Sequence, residues 1–253
     1  FRETDVRPIL LIGFDAVRAS EQIAENLLEA GAPPFLLHAA DTRPVHNRRD
    51  ARRPSDAPIY EFLSTETAPA DPTELESLIE RLKPSVIVFR DFLSREPENA
   101  GIEGWLAVLK TATEQGHAVV LSESTGRSVP ELPEEMRAIG ERIWDRLPER
   151  YTQLESASSS LASWREAFDA RFAQPANGLC DKLRERQVFE LFAQFGFLAE
   201  SFVRSPIEAN FDVEAARDRR FLAQVADLDD RKIEAGLAPA LHFIGRIDAL
   251  AEA

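Results

Sequence analysis

A chain of 253 residues with 44% hydrophobic content is long enough for one large domain or two modest ones around a genuine core. Its formal net charge of −14 excludes a general affinity for nucleic acid or anionic membrane, since both demand clustered cations. The single cysteine, Cys180, excludes an intrachain disulfide and a cysteine-rich zinc site, and no apolar run reaches the ~18 residues of a membrane span.

In chain order, Pro8 to Ile12 read as a strand, and 17–30 as a helix with Ile23/Leu27 and Ala24/Leu28 each one turn apart. Gly31 stops that helix, Pro33 and Pro34 bar its continuation, and Phe35 to His38 form the second strand. Residues 41–72 break the rhythm with Asp41-Thr42-Arg43-Pro44, arginines 48, 49, 52 and 53, and prolines at 54, 58, 69 and 72. This stretch is expected to be an insertion carrying at most a short strand over Ile59 to Leu63. Asp71-Pro72-Thr73 opens a helix whose Leu75, Leu78, Ile79 and Leu82 share one face. A strand over 85–89, a helix over 102–115 built on Ile102, Trp105, Leu106 and Leu109, and a strand over 118–121 follow.

Beyond Pro130 the spacing turns helical: Met136, Ile139, Ile143 and Leu147, then Leu161, Trp164, Phe168 and Phe172. The phenylalanine-rich segment 187–203 reads as a core helix, with a partner-binding face as the alternative. Further helices are expected over 213–228 and 238–251. The expected fold is therefore α/β over 1–130, a parallel sheet of flavodoxin/Rossmann-like type with the insertion at 41–72, followed by an α-helical region over 131–253.

In a parallel open sheet, ligands lie beyond the carboxyl ends of the strands. That rule makes Asp15, His38, Asp41, Asp91, Ser122 and Glu123 the candidate site. Such a group could hold a hard cation through oxygen, with Asp15 and Asp91 as ligands of a Mg2+ ion, or pair an acid with a base. The plainer alternative is that strand ends meet solvated loops. Arg127, within Ser124-Thr125-Gly126-Arg127-Ser128, could wrap a phosphate together with backbone amides. The arginines between 43 and 53 could grip phosphate groups or an acidic partner. Several chemistries lack their residues. Gly13-Phe14-Asp15-Ala16 has no glycine-rich dinucleotide fingerprint, no Walker lysine motif exists, and the histidines at 38, 46, 117 and 242 have no metal-ligand spacing. No Gly-x-Ser-x-Gly elbow surrounds any serine.

Ile9-Leu10-Leu11-Ile12 followed by an acidic loop residue, Arg18 and a helix ending Leu27-Leu28-Glu29-Ala30-Gly31 make one run of spacing. Leu82-Lys83-Pro84-Ser85-Val86-Ile87-Val88-Phe89, then Gly101-Ile102-Glu103-Gly104-Trp105-Leu106, then Val119-Val120-Leu121-Ser122 continue it. In order and spacing, residues 8–125 resemble the receiver domain of response regulators. The resemblance implies a flavodoxin-like fold, an acidic pocket at Asp15 and Asp91, and Ser122 as the phosphoryl-contacting hydroxyl. Where a receiver carries its acidic pair this chain has Gly13-Phe14, and the lysine-bearing fifth strand is absent. The member implied is a degenerate one, a non-catalytic regulatory or protein-interaction module with no cofactor beyond Mg2+. It is expected to act through a protein partner or self-association, in the cytoplasm, as one cysteine suggests. The rival expectation is an enzyme that binds a phosphorylated or nucleotide-sugar ligand at the strand ends, since Lys83 to Ser124 also resembles half of a glycosyltransferase. The opening Phe1-Arg2-Glu3, without Met, leads us to expect a fragment with flanking segments missing.

Overall fold

The computed structural model describes residues 8–13, 16–30, 35–41, 60–95, 102–125, 134–152, 161–172, 179–186, 189–203, 210–212 and 214–247. In chain order its elements are β1 (Pro8–Gly13), α1 (Ala16–Glu29), β2 (Phe35–Asp41), β3 (Tyr60–Thr67), α2 (Pro72–Leu82), β4 (Val86–Arg90) and α3 (Ile102–Glu114). They continue with β5 (Ala118–Ser124), α4 (Glu134–Trp144), α5 (Glu149–Thr152), α6 (Leu161–Phe172) and α7 (Leu179–Arg186). The last are β6 (Leu191–Phe195), α8 (Leu198–Val203), α9 (Ala216–Glu234) and β7 (His242–Ile247).

The sheet has seven strands in the order β3-β2-β1-β4-β5-β7-β6. β1 lies parallel between β2 and β4, β3 is parallel to β2, and β5 is parallel to β4. Leu10, Leu11 and Ile12 are fully buried, as a central parallel strand covered on both faces requires. The direction of β7 follows from three backbone bonds. Thr125 N donates to Leu241 O at 2.9 Å, Leu241 N to Gly196 O at 2.8 Å, and Glu190 N to Arg246 O at 2.9 Å. The end of β5 thus meets the start of β7, and the start of β6 meets the end of β7. β7 is antiparallel to both neighbours, while the other six strands run one way.

Local chemistry sets the boundaries. Asp71 caps α2 by accepting from Glu74 N at 2.9 Å, Glu74 reaches back to Ala70 N at 2.8 Å, and Pro72 occupies the first turn, where no amide partner is lost. The helix ends at Lys83 in the left-handed region, φ 45°, with its amide bonded to Ile79 O. α1 lies against the first strands through Ala16, Ala19 and Ile23, which meet Leu11, Ala39 and Val88, and through Ala24 and Leu27, which meet Leu37 and Ile9.

The chain divides into two compact units. The first is Phe1–Ser124 with Leu179–Phe192 and Ile244–Ala253; the second is Thr125–Gly178 with Ala193–Phe243. The chain leaves the first unit after Ser124 and returns to it twice, at Leu179 and at Ile244. Within the second unit, Met136, Ile139, Trp144, Trp164, Phe168, Phe197, Leu198, Phe202 and Val225 form a separate core. Its centre is aromatic, with Trp164 stacked on Phe168 at 4.9 Å and on Phe202 at 5.7 Å. Gly140 makes room for it, since a Cβ there would stand 2.5 Å from the Trp164 ring.

Two expectations need correction. The region after 131 is not purely helical, because β6 falls within the supposed helix 187–203 and β7 occupies the middle of the supposed helix 238–251. The physical cause is visible in β7, whose residues alternate in burial at a period of two, with Phe243, Gly245 and Ile247 inward. Gly245 bears no side chain where the Phe189 ring covers the strand; a Cβ would lie 2.5 Å from that ring. The second correction concerns 41–72, which contributes the last residue of β2 and a full eight-residue strand, β3, paired along its length with β2. The part between, 42–59, including the arginines 43–53, lies outside the described residues.

Candidate functional site

The carboxyl ends of β1, β2, β3, β4 and β5 all face one side, because these strands are mutually parallel. Chain order reverses direction across the sheet between β1 and β4, and it is outside such a reversal that the strand tips splay into a crevice. Gly13 ends β1 and stands in register with Asp41 on one side and Arg90 on the other. Its φ of +141° is one that only glycine adopts freely, and a Cβ there would overlap the Arg90 carbonyl oxygen. The backbones of β1 and β4 therefore lie close together at the tip, where Gly13 contributes no side chain.

Asp41 ends β2 at 3% exposure, and its carbonyl accepts from Ala68 N at 3.0 Å. At the end of β4, Asp91 adopts φ 45°, a left-handed conformation costing a non-glycine residue roughly 1–3 kcal/mol unless its surroundings impose it. They do so from both sides. Asp91 N donates to Ser122 O at 3.0 Å, and the next residue, Phe92, is buried edge-on against Trp105 at 5.0 Å and tilted on Phe89 at 6.0 Å. Ser124 Oγ approaches Asp91 Oδ1 at 3.5 Å, the outer limit of a hydrogen bond.

Glu123 points the other way from Ser122 and Ser124, into the protein, with 1% exposure. Its Oε1 accepts from Phe92 N at 3.1 Å and Leu93 N at 3.2 Å, and its Oε2 from Ser94 N at 3.0 Å. One carboxylate thus serves three consecutive amides at the start of the 3-10 turn Leu93–Arg95. Burial pushes its pKa up to about 7, against the opposing pull of those same amides.

The structure gathers some of the expected residues and separates others. Asp91 and Ser122 meet at the β4 and β5 ends and Asp41 stands at the tip of β2, whereas Glu123, expected beside them, turns inward because strand alternation puts it on the buried face. His38 is not at a tip. It lies inside β2, opposite Leu10 and Ser64, because β2 runs three residues further than its apolar run, and alternation turns it to the face opposite Asp41. Asp15 and Arg127 fall outside the described residues. The Mg2+ pairing of Asp15 with Asp91 falls there with Asp15, and among the described residues no group of three or more His, Cys, Asp or Glu side chains is placed to hold a metal ion. Ser122 offers its carbonyl to Asp91, whereas the hydroxyl that meets the Asp91 carboxylate is that of Ser124. Sequence reasoning passed over Gly13 and Ser124. A glycine closing an otherwise apolar strand was the available signal for the first.

No family model and no curated protein matches this chain. Among solved structures it is similar to the zinc-inhibited form of teicoplanin deacetylase Orf2, with 9% identity over 97% of this chain and 100% of that one and a TM-score of 0.29, too low to carry any argument.

Proposed function

We propose that the first unit is a nucleoside-binding domain of the doubly wound Rossmann type, its ligand lying over the tips of β1, β2 and β4. The observation carrying this reading is the strand order 3-2-1-4-5, which is that of dinucleotide-binding sheets and reverses at β1/β4. The residues present fit such a ligand. Gly13 lets the backbones of β1 and β4 close together at the tips over which the ligand would lie, and Asp41 is the acidic residue at the end of the second strand, the place from which a carboxylate takes ribose hydroxyls. The antiparallel β7 inserted between β5 and β6 narrows the reading further, because a seven-stranded sheet with that reversal is the arrangement of S-adenosylmethionine-dependent methyltransferases. On this reading Gly13 and Asp41 would hold the nucleoside, Asp91 would border the reacting end, and the bound group would supply an activated methyl. The proposed ligand replaces the expectation of no organic cofactor. A reducing, cytoplasmic setting suits a chain whose single cysteine, Cys180, is buried and in no disulfide.

The receiver-like regulatory module is the second reading. It is favoured by the stretch β2-β1-β4-β5, which follows the same order as the first four strands of a 2-1-3-4-5 flavodoxin-like sheet, and by the approach of Ser124 to Asp91. It has no use for β3 outside β2 or for the reversed β7. Among the described residues no helix is long and apolar enough to cross a membrane.

A thermal-shift panel separates the readings. S-adenosylmethionine, S-adenosylhomocysteine, a nicotinamide dinucleotide, a uridine-diphosphate sugar and acetyl phosphate with Mg2+ are each compared with buffer. A nucleoside ligand at ~100 times its dissociation constant adds about 2.7 kcal/mol of stability. The proposal expects a rise with the adenosyl ligands that Asp41→Asn abolishes. No rise with either of them sinks it, and an acid-labile phosphoryl adduct on Asp91 favours the receiver.

A further inference from the structure

We propose that Glu123 is a proton-operated clamp on the segment Asp91–Ser94, holding that wall of the strand-tip crevice when charged and easing it when protonated. The geometry is unusual in that every backbone group meeting the carboxylate is a donor. Phe92 N and Leu93 N share Oε1, while Ser94 N takes Oε2, with the Ser94 side chain as a further partner. A proton on either oxygen turns one lone-pair position into a donor among backbone donors and removes the charge that strengthens the remaining bonds, so the hold on these amides weakens. The segment so loosened carries the left-handed Asp91 at its head and the buried Phe92 and Leu93 behind it. With that hold weakened, the strained φ at Asp91 is less fully imposed.

The titratable side chains on the surrounding elements of the same unit are Arg90 and Asp91 at the end of β4, Glu103, Lys110 and Glu114 on α3, and Arg246 on β7; the neighbours on its own strand are Ser122 and Ser124. Among the described residues the carboxylate bonds only to the 92–94 segment, and no charged side chain is among the causes that set its pKa. Burial, opposed by these hydrogen bonds, raises it to about 7, so the proton exchanges in the neutral range rather than in acid.

That the clamp tunes ligand affinity rests on the crevice being the ligand site; the clamp itself does not. Two-dimensional 15N–1H spectra of the whole chain, recorded between about pH 5.5 and 8.5, test it directly. The amides of Phe92, Leu93 and Ser94 are expected to move together with one midpoint near 7, and the movement is expected to vanish in Glu123→Gln and survive in Glu123→Asp. Static amides in the unmodified protein, or the same titration in Glu123→Gln, overturn the clamp. S-adenosylhomocysteine is then titrated calorimetrically at both ends of the range. Weaker binding at low pH in the unmodified protein but not in Glu123→Gln extends the clamp to the site, and unchanged affinity refutes that extension. Should this probe not bind at all, the crevice reading fails while the amides still decide the clamp.

Discussion

Gly13 makes the most specific demand on a residue type. A methyl group there meets the Arg90 carbonyl oxygen, which belongs to the neighbouring central strand and cannot swing aside as a side chain would. Gly13→Ala also sets an L-residue at φ +141°. The substitution is expected to lower stability by at least about 2 kcal/mol, read as a reduced urea midpoint with an unchanged slope. A loss within about 0.5 kcal/mol would mean that the tips of β1 and β4 do not approach as described. Glycine at this place was legible in the sequence; its purpose was not, because close approach is a property of two strands 77 residues apart in spacing from Gly13 to Arg90. Glu123 shows the same limit. Its position after an apolar run marked it as a strand-end residue, but whether it faces solvent or the interior depends on where the 92–94 amides lie.

At the scale of elements, two buried carboxylates do similar work in different units. Glu123 receives the amides of 92–94, and Asp229 of α9 receives those of Phe197 at 2.9 Å, Leu198 at 2.8 Å and Ala199 at 2.8 Å, the start of α8. Burial raises the pKa of Asp229, and these amides oppose the rise. Removing its side chain leaves three amides without an acceptor in a buried place, whereas Asp71 of the α2 cap is exposed and water can replace it. Asp229→Ala is accordingly expected to cost about 2 kcal/mol or more, and Asp71→Ala about 1 kcal/mol, in chemical denaturation. Equal costs would show that the α8 start draws its order from elsewhere. Helices α2, α3, α4 and α9 were readable from apolar spacing, since each turns one stripe to a core. Strands β6 and β7 were not. A short aromatic run such as Leu191-Phe192-Ala193-Gln194-Phe195 serves either period, and the deciding partner for Phe189, Gly245, stands 56 positions later.

For the whole molecule, Glu123 ties stability to pH in a direction opposite to most carboxylates. Its folded pKa, about 7, is above the ordinary 4.5, so the folded state binds the proton more tightly than the unfolded chain. The contribution is therefore full below pH 4.5 and is lost as pH rises through 7, a span worth roughly 3 kcal/mol. Asp218 works the other way. The Tyr151 hydroxyl, the Asp212 amide and Arg150 hold it below the usual carboxylate range, so its contribution is lost only on acidification through that lowered value. The difference in unfolding free energy between the protein and Glu123→Gln should shift by roughly 3 kcal/mol between pH 4.5 and 8, the variant gaining relative stability as pH rises. A difference that stays flat would place the Glu123 carboxylate in contact with water. The parallel order of the early strands was legible in the alternation of apolar runs with helices. The seven-strand order, on which the functional reading depends, was not, because β3 and β7 join the sheet through pairings that no local pattern announces.

Isotope-edited spectra of the protein with S-adenosylhomocysteine test the placement of the ligand most directly. Resonances of Gly13, Asp41 and Asp91 should shift first and furthest, in proportion to occupancy, because they border the β1/β4 tips. Saturable binding that leaves these three unmoved, with its largest shifts at another surface, would contradict the account.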